Sequence, residues 1–311
     1  MHDQITREQA WPALPLEAWA DTCATIHMWA QIVGKIRLRE SPPVNHGWHS
    51  TMYVTSRGLT TSPIPHGLRT FQLDFDFIDH ALVVEDSDGW TARLALEPQT
   101  TAAFYGRLMD TLHSHGIDVH IHGKPNEVIE AIPFDRDEVH RAYDAEYVNR
   151  FWRALVQSDR VFKQFRSRFI GKCSPVHLFW GGLDLAVTRF SGRRAPEHPG
   201  GIPNLPDSVT REAYSHEVSS GGFWAGNSGG PVAYPAYYAY AYPEPDGFSR
   251  ARVGPDQAFY SPDLREFVMP YDAVRSSTDP DGALLEFLQT TYDAAADLAR
   301  WDRAALEQPR P

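Results

Sequence analysis

Leu16, Trp19, Cys23, Ile26, Ala30 and Val33 recur three or four positions apart, which predicts a helix opening at Pro15 and ending near Gly34. The period then changes from helical to two. His49 to Thr55 and Gly58 to Ser62 read as strands. Phe71, Leu73, Phe75 and Phe77 alternate with Gln72, Asp74 and Asp76, the pattern of a strand with one face buried. Leu82 to Glu85 and Trp90 to Leu96 flank Asp86-Ser87-Asp88-Gly89, whose residues suit a hairpin turn. Thr100 then caps a helix with Phe104, Leu108 and Leu112 on one face.

The second half begins with another helical pattern. Asp135 and Glu138 have capping-box spacing, and Val139, Tyr143, Phe151, Leu155, Phe162, Phe165 and Phe169 supply apolar positions up to Gly171. Strands follow at Val176 to Trp180, Leu183 to Phe190, Ala236 to Tyr242 and Glu266 to Met269. The last helix is capped by Asp279, has Pro280 in its first turn, and aligns Leu284, Leu288, Thr291, Ala295 and Leu298. Residues 191–235 show little periodicity and much Gly and Pro, which predicts a long loop that is a lid, a binding loop or disordered.

These elements predict an α+β fold of two similar helix–antiparallel-sheet–helix lobes packed as one unit, 1–130 and 131–311. Ile32-Val33-Gly34-Lys35 parallels Phe169-Ile170-Gly171-Lys172, and both halves place their last strand before a proline. Internal duplication and chance likeness both account for so few identities. Under duplication, a ligand crevice belongs between the lobes.

At 311 residues the chain is long enough for a sizeable core, and its 42% hydrophobic and 22% charged residues are those of a globular protein. The net charge of -11 disfavours nucleic acid as a partner, because an acidic surface repels phosphates. Asp184 interrupts the best apolar run, Val176 to Val187, so no membrane partner is expected. Only Cys23 and Cys173 are present, which leaves neither a disulfide framework nor a four-thiolate zinc site. With no secretory leader visible, the expected location is cytoplasmic.

Gly226-Asn227-Ser228-Gly229-Gly230-Pro231 looks like the nucleophile loop of trypsin-like serine proteases and also fits G-x-S-x-G. An α/β-hydrolase needs its histidine after the serine, but His216 is the last histidine here. A trypsin-like fold is a pair of β-barrels, which conflicts with the predicted long helix. His120 and His122 are spaced to share one face of a strand, a place for a transition metal or simply an exposed edge. No cofactor motif is present: the chain lacks a Walker loop, G-x-G-x-x-G, H-E-x-x-H and C-x-x-C.

The second half holds the more specific set. His177 lies on an apolar strand, Asp184 and Arg189 on the next, and His216 and Glu217 follow the predicted loop. Histidine with carboxylate suits acid–base chemistry or metal ligation, and buried polar groups need partners. One reading makes His177, Asp184, His216 and Glu217 the catalytic or metal groups of a small-molecule enzyme, with Arg189 holding a substrate anion. Tyr240, alternating with Tyr238 and Tyr242 across small alanines, would line the cleft. The other reading makes the same residues structural, in a non-catalytic interaction protein.

Five segments together carry a family resemblance: Trp11-Pro12-Ala13-Leu14-Pro15, His27 to Lys35, Gly58 to Pro65, Phe71 to His80 and Phe169 to Arg194. They resemble a bacterial family known only as domain of unknown function five-nine-nine-six, over nearly the whole chain. The resemblance implies one full-length module and brings no activity, cofactor or catalytic residue.

Overall fold

The computed structural model describes residues 6–227 and 232–308. A short α1 (Arg7–Ala10) and a single 3-10 turn precede α2 (Ala20–Glu40). This helix runs past Gly34, which is helical because its bare Cα admits a ring. A methyl group there would lie 2.1 Å from Trp180 Cδ1. The chain then forms β1 (Tyr53–Val54), β2 (Gly58–Thr60), β3 (Ile64–His66), β4 (Arg69–Asp76), β5 (Ala81–Asp86) and β6 (Thr91–Ala95). They make one antiparallel sheet in the order β1-β2-β4-β5-β6, with β3 pairing β4. The alternation read in the sequence holds through Phe75: Phe71, Leu73 and Phe75 are buried and Gln72 and Asp74 less so, whereas Asp76 is buried and paired with Arg57. α3 (Thr101–Ser114) follows, with Thr100 as its cap.

α4 (Ala145–Ser167) starts nine residues later than the Asp135–Glu138 spacing suggested. Asp144 Oδ1 accepts the N–H groups of Glu146 and Tyr147, whereas Val139 is exposed and belongs to no helix. Asp144→Ala is therefore expected to cost about 1 kcal/mol of stability in a urea titration.

The second sheet comprises β7 (His177–Phe179), β8 (Asp184–Arg194), β9 (His216–Trp224), β10 (Ala236–Tyr242), β11 (Phe259–Ser261) and β12 (Glu266–Pro270), in the order β11-β12-β10-β9-β8-β7. A short α5 (Asp207–Ala213) precedes β9, and α6 (Tyr271–Ser276), α7 (Pro280–Leu298) and α8 (Arg303–Leu306) close the chain. The fold is thus α+β, with two antiparallel sheets. They meet edge to edge: Met52 and Leu178 exchange both backbone hydrogen bonds, at 2.9 and 2.7 Å.

The predicted 191–235 loop is corrected by α5 and by β9, a central strand of the second sheet. Its Ser219-Ser220-Gly221-Gly222 run hides the apolar alternation on which strand recognition rests. The glycines leave room for neighbours. A methyl at 221 would lie 2.7 Å from Leu288 Cδ2, and one at 222 would lie 2.3 Å from the Tyr238 hydroxyl.

Paired residues of antiparallel strands share a face, so the register sorts the second sheet into two surfaces. Leu185, Val187, Arg189, Phe223 and Tyr237 face α4 and α7: Phe223 packs on Phe151, Tyr237 on Phe162, and Tyr237 bonds Ser158 Oγ at 3.0 Å. The opposite surface carries His177, Asp184, Thr188, Ser220, Tyr238 and Tyr240. The segment around Glu127 and the end of α5 at Tyr214 bring polar groups to it. Among the described residues no helix is long and apolar enough to cross a membrane.

Candidate active site

Three carboxyl groups gather on this second surface. Asp184 opens β8, Glu266 opens β12, and Glu127 arrives from the loop after α3. Each is set by a left-handed backbone residue that is not glycine: Leu183 (φ 53°), Arg265 (φ 59°) and Glu127 itself (φ 60°). Such conformations cost about 1–3 kcal/mol each and persist only where surrounding bonds enforce them.

For Glu127 those bonds are visible. Its N–H donates to the Pro203 carbonyl at 2.8 Å. The preceding Asn126 donates its N–H to Gln31 Oε1 at 2.7 Å, and Gln31 Nε2 donates to the Asn126 carbonyl at 2.9 Å. Asn204 Nδ2 donates to the Val128 carbonyl at 2.6 Å, and Lys35 Nζ donates to Asn126 Oδ1. Glu127 is exposed as a residue, yet its carboxyl folds inward over Gly181 and Gly182. A methyl at 181 would lie 2.0 Å from Glu127 Oε1, and one at 182 would lie 2.9 Å from Asp184 Oδ1.

Tyrosines complete the cluster. The Tyr238 ring crosses β9 where Gly222 lacks a side chain, and its hydroxyl donates to Asp184 Oδ2. Tyr240 stacks beside Tyr238, with ring centroids 6.1 Å apart, and its hydroxyl meets that of Tyr214 at 2.9 Å. Burial holds all three phenols above their ordinary range, Tyr240 at about 12, so they remain protonated donors.

The carboxyls are shifted toward neutrality. Desolvation pushes Asp184 up to about 6, against the lowering effect of the Tyr238 hydroxyl. Glu127 rises to about 7 and Glu266 to about 8, in each case first through desolvation and then through the charge of Asp184. No Lys, Arg or His among the described residues offsets these shifts.

The single hollow expected to join His177, Asp184, Arg189, His216 and Glu217 does not form. Asp184 and Tyr240 lie in the carboxyl–tyrosine cluster, and the others go elsewhere. His177 is fully buried among Phe179, Trp48 and Tyr53, and neither ring nitrogen has a partner among the described residues. Desolvation, aided by Arg37, holds it down at about 3, a neutral ring at any ordinary pH. Arg189 faces the helices, opposite Asp184. Its guanidinium lies 3.4 Å from the Phe165 ring centre and 4.2 Å from that of Tyr292, and Nη2 donates to the Phe165 carbonyl at 2.5 Å. It is 1% exposed, which leaves no surface for a substrate anion.

Glu217 also lies apart from that cluster. It accepts from Ser191 Oγ at 2.8 Å and Arg193 Nη2 at 2.7 Å, beside a small hollow bounded by Val218, Tyr242 and Trp301. His216 sits near the far end of β8, edge-on to His46 with ring centroids 6.0 Å apart. His120 and His122 are exposed in an irregular segment, not a strand. Among the described residues no three His, Cys, Asp or Glu side chains are arranged to hold a metal ion. Ser228 of the protease-like motif lies outside the described residues.

The sequence model of the Family of unknown function (DUF5996) matches residues 11–308. The chain belongs to DUF5996. No curated protein and no solved structure matches it. Within this DUF5996 chain, sequence reasoning missed Glu127 and Glu266. Glu127 carries no periodic signal because a loop delivers it. Glu266 had one, since it begins the strand beside the tyrosines of β10, and a carboxylate in an otherwise apolar strand invites the question applied to Asp184.

Proposed function

We propose that this protein binds a small molecule bearing a positively charged nitrogen, held by Glu127, Asp184 and Glu266 beneath Tyr214, Tyr238 and Tyr240. The observation that carries this reading is three carboxyls near one another with no cation among the described residues to offset them. Opposite charge nearby favours the ionised form of each, so an ammonium ligand offsets the desolvation that raises all three pKa values and the charge of Asp184 that adds to it at Glu127 and Glu266. The tyrosine rings add faces that attract cations, and their hydroxyls donate to polar groups on the same ligand.

A second reading is favoured by the spread of those values. With Asp184 at about 6 and Glu266 at about 8, one carboxyl is mostly ionised and the other mostly protonated near pH 7. Such a pair can remove one proton from a bound substrate and give another. Both readings keep the ligand at the meeting of the two halves, since Glu127 comes from the first and its companions from the second.

The test is thermal denaturation and calorimetry with propylamine, ethanolamine and tetramethylammonium, against propanol at matched ionic strength. Amines are expected to raise the melting temperature with saturable binding while propanol does not. Equal behaviour of all four would reject a cation site.

A further inference from the structure

The far end of the same sheet surface holds a different arrangement. Phe190 and Asp184 are six residues apart along β8, about 20 Å at ~3.3 Å per residue. Beside Phe190, Lys172 Nζ donates to His46 Nε2 at 2.6 Å. The other ring nitrogen of His46, Nδ1, donates to the Ala213 carbonyl at 3.0 Å, which fixes the tautomer and leaves Nε2 as the acceptor. His46 is itself held: its backbone is left-handed (φ 61°), and its N–H donates to Glu212 Oε1 at 2.7 Å. An amine bonded to a base, and that base bonded to an orienting group, is the arrangement of an activated nucleophile.

We propose that Lys172 is a reactive amine that forms an imine with a small aldehyde or ketone, with His46 as its proton acceptor. The amine sits over two aromatic rings, 5.0 Å from the centre of Phe190 and 5.5 Å from that of Trp48, an apolar wall for the carbon skeleton of such a compound. Lys172 is exposed, so the compound can reach it. Desolvation lowers its pKa from the ordinary lysine value, against an upward pull from Glu212. Glu212 and His216 are the other titratable groups facing the pair.

The chemistry balances without a co-reactant. Lys172 gives one ammonium proton to His46 Nε2, and its lone pair attacks the carbonyl carbon. The C–N bond forms as the C=O π electrons move to oxygen, which takes the proton back from the imidazolium. The nitrogen then gives up a second proton through His46, and the hydroxyl takes it and leaves as water. The sum is ammonium plus carbonyl giving a protonated imine plus water.

The composition makes the test clean, because the chain has only four lysines. Lys35 is buried, Lys163 bonds Asp159 at 2.6 Å, and Lys124 is exposed and serves as the internal reference. The whole protein is treated at pH 7 with butyraldehyde and cyanoborohydride, and each lysine is followed by peptide mass spectrometry. Lys172 is expected to be alkylated at least about tenfold faster than Lys124, a modest share of what a positioned base supplies. In a folded His46→Gln variant that advantage should fall away and the pH profile of alkylation at Lys172 should move to higher pH. Alkylation of Lys172 no faster than Lys124 in the unmodified chain overturns the proposal, whether or not the variant folds. An unchanged Lys172 rate and profile in folded His46→Gln overturns the role of His46.

Discussion

Asp184→Asn is expected to weaken propylamine binding about 10- to 100-fold, the loss of one charge-assisted hydrogen bond worth about 1.5–3 kcal/mol. Asp184 is the carboxyl whose charge acts on both neighbours, so its removal should also lower Glu127 and Glu266, while desolvation keeps both above the ordinary value. Calorimetry on the purified variant measures the first effect. An affinity within twofold of the unmodified chain would mean that the amine binds elsewhere.

The same shifts fix a sign for stability against pH. A carboxyl with a raised folded pKa holds more protons in the native than in the unfolded state at intermediate pH. Its contribution is present below the unfolded value and is lost as pH rises through the folded values of about 6 to 8. His177 and His46, whose pKa values are lowered, act in the opposite direction at lower pH, so the comparison must be between variants. Glu266→Gln mimics the protonated carboxyl. Its melting temperature is expected to gain on that of the unmodified chain steadily from pH 5 to pH 9. A constant gap across that range would show that Glu266 titrates normally.

The second large effect is on stability. Trp180→Ala is expected to cost about 3–5 kcal/mol in a urea titration, as for other buried aromatic deletions. Trp180 is 7% exposed, donates from Nε1 to the Ser50 carbonyl at 2.7 Å, and seats its indole on Gly34. It thereby ties α2 and the β1 region to the turn that carries Gly181 and Gly182. The reverse change, Gly34→Ala, pushes a methyl into that indole and should cost about 1–3 kcal/mol. Combining the two should cost less than their sum, because each removes the reason for the other's penalty. A Trp180→Ala loss below about 1 kcal/mol would deny the ring this role.

Much of the fold was legible because local chemistry and tertiary packing agree in it. α7 begins where Asp279 and Pro280 say it must, and β10 spans Ala236–Tyr242, where the Tyr/Ala alternation lies. Disagreement arises where packing overrules the local signal. Gly34 reads as a helix end but is a seat for Trp180. Ser219 to Gly222 read as loop but form a central strand thinned to admit Tyr238 and Leu288. The site follows the same division. Asp184 and Tyr240 stood out because a polar residue breaks an apolar strand and a tyrosine repeats at period two. Glu127 depends on bonds from Gln31, Pro203 and Asn204, some 75 to 95 residues distant in the chain, and no local pattern encodes such a meeting. Arg189 shows the converse: a charge on a strand invited a ligand, and aromatic rings already enclose it.

Carbon-13 NMR titration of the Glu127, Asp184 and Glu266 side chains tests the crowding of these three carboxyl groups most directly. Assignment through Glu127→Gln, Asp184→Asn and Glu266→Gln should give midpoints near 7, 6 and 8 in the unmodified protein. All three should move down when propylamine is added. Midpoints near 4 for all three, insensitive to the amine, would contradict it.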